Sequence, residues 1–194
     1  MLWPWKRVRP EAPGSSAHVE EEAVNILRFM RNDCIGLDLD FEPTEAAEDE
    51  SEQQRERRLV SDKERLIQVL CNLLDASGEI SNPTKFYKDM VNRERKATTA
   101  IAPGVAIPHV RSMQCRTFIM GFASSRKGLY FDSLDGGPTH LFFLLASPPY
   151  EDKLYLRVYR QFAEMLQHEY VKDALLDATS ISDVLSILRG YIVN

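Results

Sequence analysis

Cysteine is scarce in this chain, with three in 194 residues, and Cys34, Cys71 and Cys115 share no C-x-x-C spacing. An odd count without a repeated spacing excludes a disulfide framework, and the thiols read as reduced, half-buried side chains of a cytoplasmic protein. Histidine is nearly as scarce. His18, His109, His140 and His168 stand singly, so the Cys and His grouping of a metal site is missing and no metal is expected. No run approaches the roughly 20 apolar residues of a membrane helix, and Met1-Leu2-Trp3-Pro4-Trp5 is too short for a signal-peptide core, so no integral membrane segment is expected. Excess positive charge is absent too: 24 Lys and Arg against 29 Asp and Glu leave a net charge of -5, which excludes nucleic acid as a partner.

What is present suffices for one core, with 44% apolar and 27% charged residues. Residues 1–18 hold Pro4, Pro10, Pro13 and Gly14 without an apolar period and read as a flexible arm, leaving 19–194 as the domain. Ala23, Ile26, Leu27 and Met30 keep helical spacing, and Ile35, Leu37, Leu39 and Phe41 alternate as a strand does. Residues 42–58, acidic at Glu45, Glu48, Asp49, Glu50 and Glu52 and then basic at Arg55, Arg57 and Arg58, read as a solvated, mobile insertion. Ser61 with Glu64 predicts a capping box ahead of Leu66, Val69, Leu70, Leu73 and Leu74, with Gly78 at the helix end. Asn82 predicts a second cap, with Pro83 in the first turn and Phe86, Tyr87 and Met90 facing inward.

Further on, Ala102-Pro103-Gly104-Val105 has the residues of a type II turn, and Val105-Ala106-Ile107 is a short strand that Pro108 stops. His109 then sits just past a strand's end. Strands follow at residues 117–123, 129–131 and 139–146, the last an almost unbroken apolar run of a kind buried on both faces. Helices are expected at 154–166 and 171–177, and at 182–191 with Ser182 as cap. Together these predict a three-layer α/β domain with a mixed sheet of about five strands covered by helices on both faces.

The chemistry gathers between residues 93 and 109. Arg93 supplies a guanidinium, Thr98 and Thr99 supply hydroxyls, the turn supplies backbone N–H groups, and His109 supplies an imidazole at a strand end. Arginine, hydroxyls and amides hold phosphoryl groups, and a neutral imidazole near pH 7 is a nucleophile able to accept one. A satisfied loop histidine is the competing reading. His140 reads as locally hydrogen-bonded, His168 as a helix-end residue favoured by the dipole, and Asp132 with Asp135 as turn chemistry.

The stretch Arg93-Glu94, Thr98-Thr99 and Ala106-Ile107-Pro108-His109 resembles the signature of mannitol/fructose-type enzyme IIA domains of the bacterial sugar phosphotransferase system, a group that includes the nitrogen-regulatory enzyme IIA proteins. The run from His140 to Pro148 and the helices after it resemble that family's second half. The resemblance implies that His109 accepts phosphate from a phosphorylated histidine carrier protein and passes it to an enzyme IIB or a regulated target. It also implies that Arg93 contacts the phosphoryl group, that the hydroxyl at Thr99 lies close to it, and that no cofactor takes part. This sequence departs from the pattern: Ala97, Ala100 and Ala102 replace glycines, Val110 follows the histidine where glycine is common, and Tyr155 aligns with a second family histidine. Alanine disfavours positive φ, so these positions either have ordinary backbone angles or belong to a reshaped loop. A phosphorylation-independent regulatory module, acting by contact on a protein such as a membrane transporter, is the alternative expectation.

Overall fold

The computed structural model describes residues 25–192; the arm assigned to residues 1–18 and the helical position Ala23 lie outside the described residues. Five strands form one mixed sheet: β1 (Met30–Gly36), β2 (Val105–Ala106), β3 (His109–Arg111), β4 (Ile119–Leu129) and β5 (Thr139–Ser147). The order is β1-β4-β5-β2, with β3 following β2 along the same edge of β5; β4 and β5 are antiparallel and the other pairs are parallel. The helices are α1 (Glu52–Asp75), α2 (Pro83–Glu94), α3 (Asp152–Met165), α4 (Glu169–Asp177) and α5 (Ile181–Ile192).

The uninterrupted apolar character of β5 follows from its central place. Phe142, Leu144 and Ala146 pack toward α1 and α2, while Leu141, Phe143 and Leu145 join Val158, Phe162 and Leu175 of the opposite helices. A strand covered on both faces has no solvent side on which to alternate, so the expected three layers are realised. Phe143 is fully buried against Phe122 and Phe162, and truncating it to alanine should cost about 3–5 kcal/mol.

Several expectations shift. In place of a helix running to Met30, a 3-10 turn at Ile26–Phe29 leads directly into β1, and Asp38, with φ of 48°, ends extended backbone before Leu39 and Phe41. Only Met30, Cys34 and Ile35 of β1 are buried, so its charged centre hides an edge strand from a periodicity reading. The supposed mobile insertion is ordered in its second half, because Glu52 to Arg58 form the first turns of α1. Its N-cap is Ser51, whose hydroxyl accepts from Gln54 N while the Gln54 side chain accepts from Ser51 N. Ser61 is therefore an exposed residue inside a helix, not a cap. The preceding loop is fastened as well: Thr44 donates its N–H at 3.0 Å and its hydroxyl at 2.6 Å to the buried Asp62 carboxylate, and Glu50 pairs with Arg58.

Thr117 and Phe118 precede β4, and in place of the two strands expected at 117–123 and 129–131 there is one, irregular between Ser124 and Leu129, which ends at Leu129 with Tyr130 and Phe131 beyond it. Ser180, not Ser182, holds the start of α5: its hydroxyl accepts from Asp183 N at 3.1 Å. His168 stands at the N-cap of α4, just after α3 ends, so the helix C-terminal role assigned to it does not describe its place. The Asn82 cap and Pro83 in the first turn stand as expected, and Gly78 takes φ of 73°. All three cysteines are buried free thiols, and burial pushes Cys34 up to about 11 and both Cys71 and Cys115 up to about 12.

Candidate functional site

The site forms where the edge beside β5 is interrupted. Pro108 has no N–H to give a ladder, and the Ile107 N–H turns away from β5 to the Thr99 carbonyl at 3.0 Å. The edge therefore splits into β2 and β3, and His109 is the first residue of β3 as well as a residue beyond the end of β2. Upstream, Gly104 at φ of 72° and the Val105 N–H to Ala102 O bond at 3.0 Å make the expected tight turn.

Arg93, one residue from the end of α2, faces His109 across this break. Its Nε lies 3.1 Å and its Nη2 2.7 Å from His109 Nε2, while Nη1 donates to the Ala97 carbonyl at 2.9 Å. On the other side of the ring, Nδ1 lies 2.6 Å from the Ile107 carbonyl. A carbonyl can only accept and a guanidinium can only donate, so both partners require the same form: neutral, with the proton on Nδ1 and the lone pair on Nε2. The pKa of His109 is lowered from its ordinary value, chiefly because burial disfavours the cation. The Ile107 carbonyl raises it, Arg93 lowers it, Glu94 raises it and Arg111 lowers it.

Two phenols complete the enclosure. The rings of Tyr155 and Tyr159 meet His109 edge-on at centroid distances of 5.8 and 5.4 Å, and the Arg111 guanidinium lies 5.9 Å from the Tyr155 ring centre. Burial raises both phenol pKa values, so each stays neutral and can act as a hydrogen-bond donor without bringing charge. Tyr155 was expected here from the sequence. Tyr159 was not, although it lies one helical turn beyond Tyr155 on α3, a spacing that puts both on one face.

The remaining expected residues support the loop and do not face the imidazole in this arrangement. Thr99 is buried, and it donates its hydroxyl to Glu94 Oε2 at 2.8 Å and its N–H to Glu94 Oε1 at 2.9 Å. Thr98 gives its hydroxyl to the Phe131 carbonyl and accepts from Ala100 N. Of the backbone N–H groups in this segment, those of Thr99, Ala100, Val105 and Ile107 are engaged within the loop. Glu94 itself is buried and paired with Lys63 at 2.9 Å. Ala97, Ala100 and Ala102 have no positive φ, so of the two ways to accommodate alanine there the ordinary backbone is the one adopted. His140 bonds the Ser125 carbonyl through Nδ1 at 3.0 Å, and Asp135 accepts from Gly137 N at 3.0 Å, both local roles. Among the described residues, no group of three or more His, Cys, Asp and Glu is placed to hold a metal ion, and no helix is long and apolar enough to cross a membrane.

The family model of the phosphoenolpyruvate-dependent sugar phosphotransferase system, EIIA 2, matches residues 53–191, a span that holds every residue around His109. The chain belongs to this EIIA family. The match begins at residue 53, inside the stretch that reads as an insertion. The fructose-specific EIIABC component of Bacillus subtilis is 28% identical over 130 residues, which is 67% of this chain but 20% of that protein. This chain therefore spans about a fifth of that relative's length. The IIA-Ntr structure from Neisseria meningitidis superposes with a TM-score of 0.67 at 23% identity, covering 84% of this chain and 98% of the other. The enzyme IIAMTL chain of an Escherichia coli complex with phosphorylated enzyme IIBMTL superposes with a TM-score of 0.58 at 20% identity, covering 81% and 95%. At these identities the structural likeness establishes the EIIA fold.

Proposed function

We propose that this EIIA-type chain is a phosphocarrier in which His109 Nε2 accepts a phosphoryl group from a phosphorylated histidine carrier protein. The group then passes to an enzyme IIB or serves as a signal to a regulated target. The observation that carries this reading is the neutral Nδ1–H imidazole with an arginine fork on its free lone pair. In the transfer, the Nε2 lone pair forms a bond to phosphorus as the donor's N–P bond breaks, and the electron pair of that bond stays on the donor. Nδ1 keeps its proton, so the phosphorylated ring is an imidazolium whose N–H remains on the Ile107 carbonyl. That proton makes the ring a good leaving group for the onward step.

Arg93 leaves Nε2 as phosphorus arrives, and its planar fork can take two phosphoryl oxygens. In this reading Tyr155 and Tyr159, whose rings lie against His109, donate neutral hydrogen bonds to the same group. The lowered His109 pKa extends the working range more than it speeds the reaction. At pH 7 an unperturbed imidazole is already about three-quarters neutral, so the gain falls below pH 6.5.

One observation favours the contact-signalling alternative: the rings against His109 are two phenols, which cannot add positive charge to the phosphorylated state. The deciding experiment is incubation with phosphorylated histidine carrier protein. The phosphocarrier reading expects one acid-labile, base-stable phosphate that is lost in His109→Ala. Label persisting in that variant, or found on His140, rejects the assignment; no label on either form leaves the contact-signalling module.

A further inference from the structure

A line of bonded groups runs from α1 beneath the loop to His109. Lys63 Nζ lies 2.9 Å from Glu94 Oε1, which accepts the Thr99 N–H at 2.9 Å. The Thr99 carbonyl accepts the Ile107 N–H at 3.0 Å, and the Ile107 carbonyl meets His109 Nδ1 at 2.6 Å. Glu94 is 5% exposed and the Lys63 side chain 12%, so the ion pair at the start of the line lies largely out of solvent. Lys63 is itself held, with its ammonium 4.9 Å from the Phe131 ring centre and 3.5 Å from Asp132 Oδ2. Glu94 adjoins Arg93, whose Nη1 is anchored on Ala97 of the same loop. One carboxylate thus organises the loop that carries the arginine and the carbonyl that orients the imidazole.

We infer that Lys63 is a positioning residue for this site: by fixing Glu94 and the Thr99–Ile107 bond it holds His109 as the Nδ1–H tautomer with Nε2 presented to Arg93. Lys63 touches neither the imidazole nor the place where a phosphoryl group would sit, and it acts through Glu94 and the backbones of two residues, Thr99 and Ile107. A buried carboxylate without its cation must either take up a proton or draw water into the loop. Both weaken its hold on the Thr99 N–H, and the Ile107 carbonyl is then no longer held against Nδ1. The inference rests on the phosphocarrier reading for its kinetic consequence, whereas its structural consequence is read from the imidazole alone.

The test is long-range 1H–15N correlation of the His109 ring in the full chain, alongside the rate of phosphorylation by phosphorylated histidine carrier protein. Wild type should show one neutral tautomer, with the proton on Nδ1. Lys63→Met should give a mixture of tautomers and phosphorylation slowed on the order of tenfold or more, the scale expected when a supporting partner is removed from a reacting group. Lys63→Arg, which keeps the charge, should restore the single tautomer and most of the rate. A folded Lys63→Met protein with the wild-type tautomer overturns the inference whatever its rate, and so does a Lys63→Arg protein no better than Lys63→Met. Should Lys63→Met fail to fold, the pair Lys63→Met with Glu94→Gln leaves no buried ion unpaired and is read by the same criterion. A wild type that takes no phosphate but whose tautomer depends on Lys63 rejects the phosphocarrier reading and upholds this one.

Discussion

Replacing His109 with glutamine should remove one contribution to the loss of stability on mild acidification. In the folded protein the His109 pKa lies below the ordinary value of 6.5, first because burial removes water from the cation, and with Arg93 and Arg111 adding repulsion. Between the folded pKa and about 6.5 the unfolded chain binds a proton that the folded chain does not. Stability from this group is therefore full above pH 6.5 and is lost as pH falls through that window toward the folded pKa. One proton sets the limit, a slope of at most about 1.4 kcal/mol per pH unit. The assay is urea unfolding of both proteins at half-unit steps from about pH 5 to 8. The difference between the two free energies cancels groups that titrate alike in both, and it should be constant above pH 7 and shrink below 6.5. A difference that stays flat, or that grows toward acid, would mean that the imidazole is not held neutral and that the tautomer assigned from its two partners is wrong.

Arg93→Lys should slow phosphorylation while leaving the unfolding midpoint nearly unchanged, because lysine offers a point charge where the fork spans two acceptors; a rate equal to wild type would remove Arg93 from the site. Asp62→Ala should cost about 2–3 kcal/mol in urea unfolding, since it removes the charged acceptor of the Thr44 N–H and hydroxyl and releases Arg65, and a loss under about 0.5 kcal/mol would show that the 42–51 loop is not fastened to α1. Tyr155→His should raise the extent of phosphorylation below about pH 6.5, where an imidazole there can carry charge to the phosphoryl group. No gain at any pH from 5 to 8 would show that position 155 does not serve the phosphorylated state.

The core was legible wherever burial left a one-sided or continuous apolar signal. β5 announced itself because it is covered on both faces, and α2 because Asn82 and Pro83 mark its start chemically. Residues 42–58 were misread because Glu, Gln and Arg are equally good helix formers and solvated-loop residues. The S-x-x-Q pattern of Ser51 to Gln54 was the available signal, and Ser61 with Glu64 offered the same pattern ten residues later. β1 was unreadable from period alone because an edge strand can expose three charged or polar residues in a row. At the site, the motif located Arg93 and His109 together but could not say where the hydroxyls point. Thr99 faces the buried Glu94, a partner set by Lys63, which lies far upstream on another helix, and local spacing carries no trace of that contact.

The resting arrangement sets a requirement on any phosphoryl transfer to His109. Arg93 occupies the direction of the Nε2 lone pair, which is where phosphorus must bind, so the fork and the incoming group cannot hold that position together. The third bond of the guanidinium, from Nη1 to the Ala97 carbonyl, does not involve the imidazole and can persist while the fork turns. Hydrogen bonds to charged groups contribute about 1.5–3 kcal/mol each, so two bonds to a neutral nitrogen would be exchanged for two to a dianionic group. The count is conserved and the charge complementarity rises. In the phosphocarrier reading Arg93 therefore shields the nucleophile in one state and binds the phosphoryl group in the other. The phenols of Tyr155 and Tyr159 stay neutral in both states, which leaves the arginines and the imidazolium itself to supply the charge that favours the phosphorylated form.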